Sequence, residues 1–408
     1  MKSQNSEIEC GGERTYSFLF LLTLFVAVSN FMLLGVYILL TASLFYVLFS
    51  NKKNSPINSG VLPLLLFSVF YFFNVLIHGT AVFSAIKIFV CPLIWMMSYS
   101  EANGKNMSQI KPLFIVLSFG MAIHGVINCL YNAYLGNDFQ RGLSYDFWSH
   151  AYSPSTGQAV NFTLIVALSF WVIFLQKESK FITISGIVVL TISTIYDISI
   201  GGRTFLILIV VAMVIGTVMR FSFLFKDEKH RYKIITMIIG ICIIIIVVLF
   251  LYQHDIFGVK SSYEKSYLYT RLTYHNAGDL AGNDRIDKKY EYVRNASKYL
   301  FGGNYLSKVE GFGYAHELWL DIYDDAGAIP YIMMVLYSII SGTHFIKVGK
   351  DQRVDHNWRI VIITMLIIIM LQFFVEPILS GSPMILYSFI IMDGALARWL
   401  YDKKNLSK

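Results

Sequence analysis

The sequence predicts an all-α polytopic integral membrane protein, with about 12 transmembrane helices and one large external, partly helical loop. Of its 408 residues, 56% are hydrophobic and 14% charged, whereas a soluble domain carries about 25% charged residues. Apolar runs long enough to cross a bilayer, roughly 20 residues, recur along the chain. Lysines and arginines cluster in alternate connections between those runs, the pattern that orients membrane helices. Too little polar sequence remains for a large cytosolic catalytic domain.

The runs lie near 16–29, 31–49, 61–78, 81–99, 112–135, 158–176, 181–199, 204–221, 233–252, 326–347, 360–379 and 383–400. Residues 16–49 read either as one long tilted helix or as a hairpin turning at Ser29-Asn30. The first segment begins with acidic and polar residues, which fits a retained span better than a cleaved signal peptide. Three regions follow: 1–252 with about nine spans, the loop 253–325, and 326–408 with about three spans.

The net charge of +7 would point to nucleic acid in a soluble protein, but its placement says otherwise. Nineteen of the 33 Lys/Arg residues fall in alternate connections, from Lys52 and Lys53 to the tail at Arg398, Lys403, Lys404 and Lys408. The short connections between them hold only Arg141 and Arg203. The first set is expected on the cytoplasmic side with the C-terminus, so the basic excess encodes topology and no nucleic-acid partner is implied. The four cysteines, Cys10, Cys91, Cys129 and Cys242, have neither disulfide nor metal spacing.

The loop 253–325 is expected outside, because long loops translocate whatever their charge. A loop of that length is usually functional. Within it, "GNDRIDKKYEYVRNASKYLFGGN" predicts an amphipathic helix. Asn283 or Asp284 caps it, Ile286, Tyr290, Val293 and Leu300 recur at helical spacing, and Gly302-Gly303 ends it. Arg285 then occupies the first turn, against the helix dipole, either as a solvated side chain or facing an external partner.

A second segment, "GFGYAHELWLDIYDDAGAIPYIMMV", turns helical after its glycines, with Leu318, Trp319 and Ile322 on an apolar face. His316 falls at or near the helix N-terminus, where the dipole favours a neutral ring able to accept a proton. Glu317, Asp321, Asp324 and Asp325 read as a solvated face, because no His or Cys joins them at metal-ligand spacing. A third segment, "SIGGRTFLILIVV", puts Arg203 at the start of a span. Asp197, Lys87 and Glu376 are expected at a similar depth. Ionisable groups within spans usually face a polar site, although pairing of Lys87 with Glu376 or Asp197 with Arg203 would also account for them. His124, in mid-span, reads as a packing residue.

Together "GGRT" at 201–204, "GNDR" with "LFGGN", and "AHELWLDIYDDAGAIP" resemble, in order and spacing, the O-antigen ligase and polymerase family of bacterial surface-polysaccharide assembly. "DFWSHAYSPSTGQAV" in the preceding external loop is similar to its members as well. Two departures stand out: Glu317 replaces the asparagine common in ligases, and no second histidine lies nearby.

The resemblance implies a metal-independent, cofactor-free glycosyltransferase in the bacterial inner membrane, with its large loop periplasmic or extracellular. Its substrates would be undecaprenyl-pyrophosphate-linked oligosaccharides and a sugar acceptor. Arg203 and Arg285 would clamp the donor's pyrophosphate, since guanidinium binds such oxyanions bidentately. Lys87 is a third contact suggested by depth alone. His316 would take the acceptor hydroxyl proton, and Glu317 could share that duty. The "DFW" loop and Glu317 favour a repeat-unit polymerase of O-antigen or capsule, working beside a flippase and a chain-length regulator. A ligase moving the finished chain to lipid A core is the alternative within the family. A flippase or other transporter is the alternative outside it, although no two-half repeat is evident.

Overall fold

The computed structural model describes residues 15–49, 60–79, 87–137, 144–153, 155–169, 180–224, 246, 249–273 and 283–406. These form helices and connections, with a lone β-bridge between Tyr145 and Tyr152. In chain order the helices are α1 (Phe18–Val28), α2 (Gly35–Phe49), α3 (Leu62–Ile77), α4 (Val90–Glu101), α5 (Met107–Tyr134), α6 (Ser155–Val160), α7 (Thr163–Leu168), α8 (Lys180–Ser199) and α9 (Arg203–Leu224). There follow α10 (Val259–Lys265), α11 (Tyr267–Thr273), α12 (Asn283–Asn295), α13 (Leu318–Ala326), α14 (Ala328–Lys350), α15 (His356–Val375), α16 (Ile378–Gly381) and α17 (Pro383–Leu406). Among the described residues, α5, α8, α14, α15, residues 203–220 of α9 and most of α17 are long and apolar enough to cross a membrane, six helices in all. The chain is thus an all-α protein of membrane-spanning character.

Residues 16–49 form two helices, not one. Asn30 and Met32 take left-handed backbone angles, which turn the chain and lay α2 back on α1. The expected span 158–176 begins as two short helices, α6 and α7, broken at Asn161-Phe162. The span expected at 233–252 falls largely outside the described residues.

The centre of the bundle is α17, buried on nearly every face and packed on α4, α14 and α5. Asp393 of α17, fully buried, accepts hydrogen bonds from Trp95 Nε1 (2.7 Å) and Tyr337 (3.1 Å), and its other oxygen meets His344 Nδ1 at 2.8 Å. One carboxylate thereby joins α4, α14 and α17, as polar side chains do between helices in apolar surroundings. By contrast α8 and α9 turn most of their apolar surface outward.

Between α12 and α14 the chain closes on itself. Gly303 N–H donates to Asp325 O (3.1 Å), Asn304 N–H to Asp324 O (2.8 Å) and Ala328 N–H to Leu300 O (2.9 Å). Such close backbone approach needs glycine on both sides. A Cβ on Gly302 (φ 75°) would lie 2.6 Å from the Ala326 and Gly327 nitrogens, and one on Gly327 (φ 88°) 2.4 Å from Leu300 O. The "LFGGN" and "DDAGA" segments are therefore two halves of one contact. Tyr71 and Asn74 of α3 hold it against the bundle by donating to Asp325 Oδ2 and Ala326 O.

Candidate active site

The loop that this contact closes carries His316. Its path is set by the carboxylates of α13, which the sequence reading placed on a solvated face. They turn inward instead. Residues 321, 324 and 325 share one helix face, and Asp321 and Asp324 are buried. Asp324 accepts from the backbone N–H of Leu306 (2.8 Å) and Ser307 (3.3 Å), and Asp321 from that of Ala315 (3.0 Å). Burial pushes all three carboxyls up, Asp321 to about 7 with help from the Asp325 charge, and Asp325 to about 6. His316 itself adopts φ 56°, a left-handed conformation that non-glycine residues rarely hold and that recurs at functional positions.

His316 lines a cavity of about 510 Å³. Glu376, buried where α15 ends, lines it as well. Pro377 disfavours a helical conformation at the residue before it. Glu376 is accordingly extended (φ −132°, ψ 148°), and the short α16 follows. His124 and Asp146 complete the wall with Gln158 and Tyr152. His124 is satisfied, as expected of a packing residue, yet it also faces this space. Its Nδ1 lies 2.8 Å from Ser29 O and its Nε2 2.8 Å from Asp146 Oδ2. Burial raises the Asp146 carboxyl, but hydrogen bonds from His124, the Ser149 backbone and Asn128 outweigh it and hold Asp146 well below the usual range.

A second cavity, of about 500 Å³, adjoins the first and shares Tyr314, Ser380 and Pro383 with it. Lys87 and Lys308 line it, with Asn304 and the Tyr71-bound Asp325. The Lys87 ammonium sits over the Tyr37 ring, 5.6 Å from its centroid. Among the described residues, neither lysine has a carboxylate within ion-pair distance, so the pairing of Lys87 with Glu376 does not form.

The remaining expected residues fall elsewhere. Glu317 occupies the N-cap position of α13 without a capping side-chain hydrogen bond; it pairs with Lys289 of α12 at 3.1 Å and does not line the histidine cavity. Arg203 opens α9, half-buried, and lines neither cavity. Asp197, fully buried, makes no side-chain hydrogen bond among the described residues. Arg285 is in the first turn of α12, and its side chain lies outside the described residues. The apolar stripe of α12 is not inward: Ile286, Tyr290, Val293 and Leu300 are exposed, while Tyr292 is buried and donates to Gly313 O. Periodicity identifies residues that share a face, not whether protein or lipid covers it.

Sequence reasoning missed Lys308, Tyr314, Asp146 and Gln158. Asp146 and Gln158 lie inside "DFWSHAYSPSTGQAV", so the signal was the segment and not the residue. Lys308 was hidden among loop charges that carry no topological information. Compared with models of known protein families and with curated proteins, the chain matches none.

Proposed function

We propose that the chain is a twelve-span glycosyltransferase of the bacterial cytoplasmic membrane that polymerises undecaprenyl-pyrophosphate-linked repeat units into O-antigen or capsule on the external face. The observation that carries this reading is the shared wall between a cavity with His316 and Glu376 and a cavity with two lysines. Sugar transfer from a pyrophosphate needs a proton acceptor on one side of the anomeric carbon and cationic donors on the other.

In this scheme the donor's pyrophosphate enters the lysine cavity. Lys87 and Lys308 meet its oxygens; resemblance to the ligase and polymerase family assigns Arg203 and Arg285 to the same pyrophosphate, Arg203 from outside the cavity wall. The acceptor hydroxyl lies in the histidine cavity, where His316 removes its proton. The acceptor oxygen bonds to the anomeric carbon as the bond from that carbon to the pyrophosphate oxygen breaks. Undecaprenyl pyrophosphate departs with the electron pair. General base assistance of this kind is worth about 10²–10⁴-fold.

The test is a strain lacking the gene, with surface polysaccharide and lipid-linked intermediates separated on gels. Single repeats on the surface are expected. Long lipid-linked chains would indicate a ligase instead, and intermediates trapped on the cytoplasmic face a flippase.

A further inference from the structure

Gln158, 2% exposed, lines the histidine cavity, and the orientation of its amide follows from hydrogen bonding alone. The Phe147 backbone N–H can only donate, and it donates to Asn128 Oδ1 at 2.9 Å. Asn128 Nδ2 must then face Asp146 Oδ2 (3.2 Å) and Gln158 Oε1 (2.6 Å). With Oε1 so engaged, Nε2 is the end of the Gln158 amide left over, and that buried donor has no hydrogen-bond partner among the described residues. Its neighbours cannot serve it. Both oxygens of Asp146 already accept, one from the backbone N–H groups of Trp148 and Ser149 and the other from His124 and Asn128. A buried donor left unmet is costly and rare.

We infer that the histidine cavity is a sugar subsite in which Gln158 Nε2 donates to an oxygen of the acceptor. The cavity offers neutral hydroxyl and amide groups at Ser153, Asn161 and Ser382 and two tyrosine rings at Tyr152 and Tyr314. Together with the imidazoles of His124 and His316 and the carboxyl groups of Asp146 and Glu376, that lining suits a polyhydroxylated ring with an apolar face, whereas the two lysines lie in the other cavity. Naming the ligand as the acceptor rests on the glycosyltransferase reading; the presence of a sugar site does not.

The test measures binding of one probe to full-length protein in lipid nanodiscs by equilibrium dialysis. The probe is the free repeat-unit oligosaccharide, released by mild acid from its lipid in the gene-deletion strain. Wild-type protein binds it. Gln158→Met keeps the side-chain length, removes the donor and raises Kd by about 3–10-fold, as for loss of one hydrogen bond. Gly157→Leu removes no polar group. A Cβ at Gly157 meets only Ser382 Oγ, at 3.7 Å, so the leucine is accommodated, takes up space in the wall beside Gln158 and weakens binding at least as much as Gln158→Met. Lys87→Ala leaves binding unchanged. Thermal melts establish that each variant is folded, and Gly157→Leu decides if Gln158→Met is not. Absence of wild-type binding at millimolar probe, binding indifferent to both cavity variants, or binding lost in Lys87→Ala alone would overturn the inference. Should the deletion strain still make long chains while this binding pattern holds, the polymerase reading fails and the sugar site stands. Should the chains be lost while binding ignores Gln158 and Gly157, the reverse follows.

Discussion

The phenol of Tyr71, on α3, donates a 3.0 Å hydrogen bond to Asp325, the carboxylate at the end of the helix that follows His316. A residue early in the chain thereby holds a helix end 254 positions later. Asp321 and Asp325 make that fixing depend on pH. Burial raises both carboxyls, to about 7 and about 6, above the ordinary value near 4. The folded loop holds protons that an unfolded one has released, so their contribution to its stability is complete below about pH 4 and falls as pH rises through 6 and 7. Hydrogen-exchange protection factors across residues 303–316 are expected to be lower at about pH 8 than at about pH 5, and Asp321→Asn should flatten the difference.

His316→Ala is expected to leave the protein inserted and folded while lowering chain extension by about 10²–10⁴-fold. Arg285→Ala should block extension in the same assay. Single repeat units would accumulate on lipid, visible on gels of lipid-linked material. Long polymer at normal levels in both variants would end the proposed mechanism.

Lys87→Ala and Lys308→Ala each remove one cation from the lysine cavity. A charge-assisted hydrogen bond is worth about 1.5–3 kcal/mol, so each variant should raise the KM for lipid-linked donor about 10- to 100-fold. Arg203→Lys separates bidentate recognition from snorkelling at a membrane boundary: impairment is expected if the guanidinium fork matters, and full activity would identify a simple point charge.

Glu317 and Lys289 form a partly exposed ion pair across α12 and α13. Glu317→Gln should cost no more than about 1 kcal/mol in stability and leave turnover close to wild type. A loss of about 100-fold or more, with the fold intact, would return Glu317 to the role of base.

The all-helical, membrane-spanning class was legible because apolar run length is a one-dimensional property. So was a helix beginning near Asn283, because helical spacing is a local signal. His316 was legible as the residue ahead of α13 for the same reason. What could not be read is which surfaces meet. Asp321, Asp324 and Asp325 looked like a wet face because their partners, backbone N–H groups at 306, 307 and 315 and the Tyr71 phenol, leave no mark in side-chain periodicity. Glu376 could be placed by depth, but its cavity became apparent only once the break at Pro377 met the loop from α5. Gln158 sat at the edge of an expected span, where a polar residue resembles a boundary marker. Its unmet donor exists only in three dimensions.

The backbone contact between Leu300–Asn304 and Asp324–Ala328 works as the knot of a noose, with His316 on its rope. A knotted rope cannot take up slack. Removing one residue between 306 and 314 would shorten the path by about 3.3–3.6 Å with both ends held. A displacement of about 1 Å at a reacting group can already cost about 100-fold in rate. The length of this stretch should therefore tolerate change less than its composition does. Exposed residues such as Val309 and Glu310 can vary, but a deletion at Gly311 or Phe312 would silence the site without removing any residue that lines it.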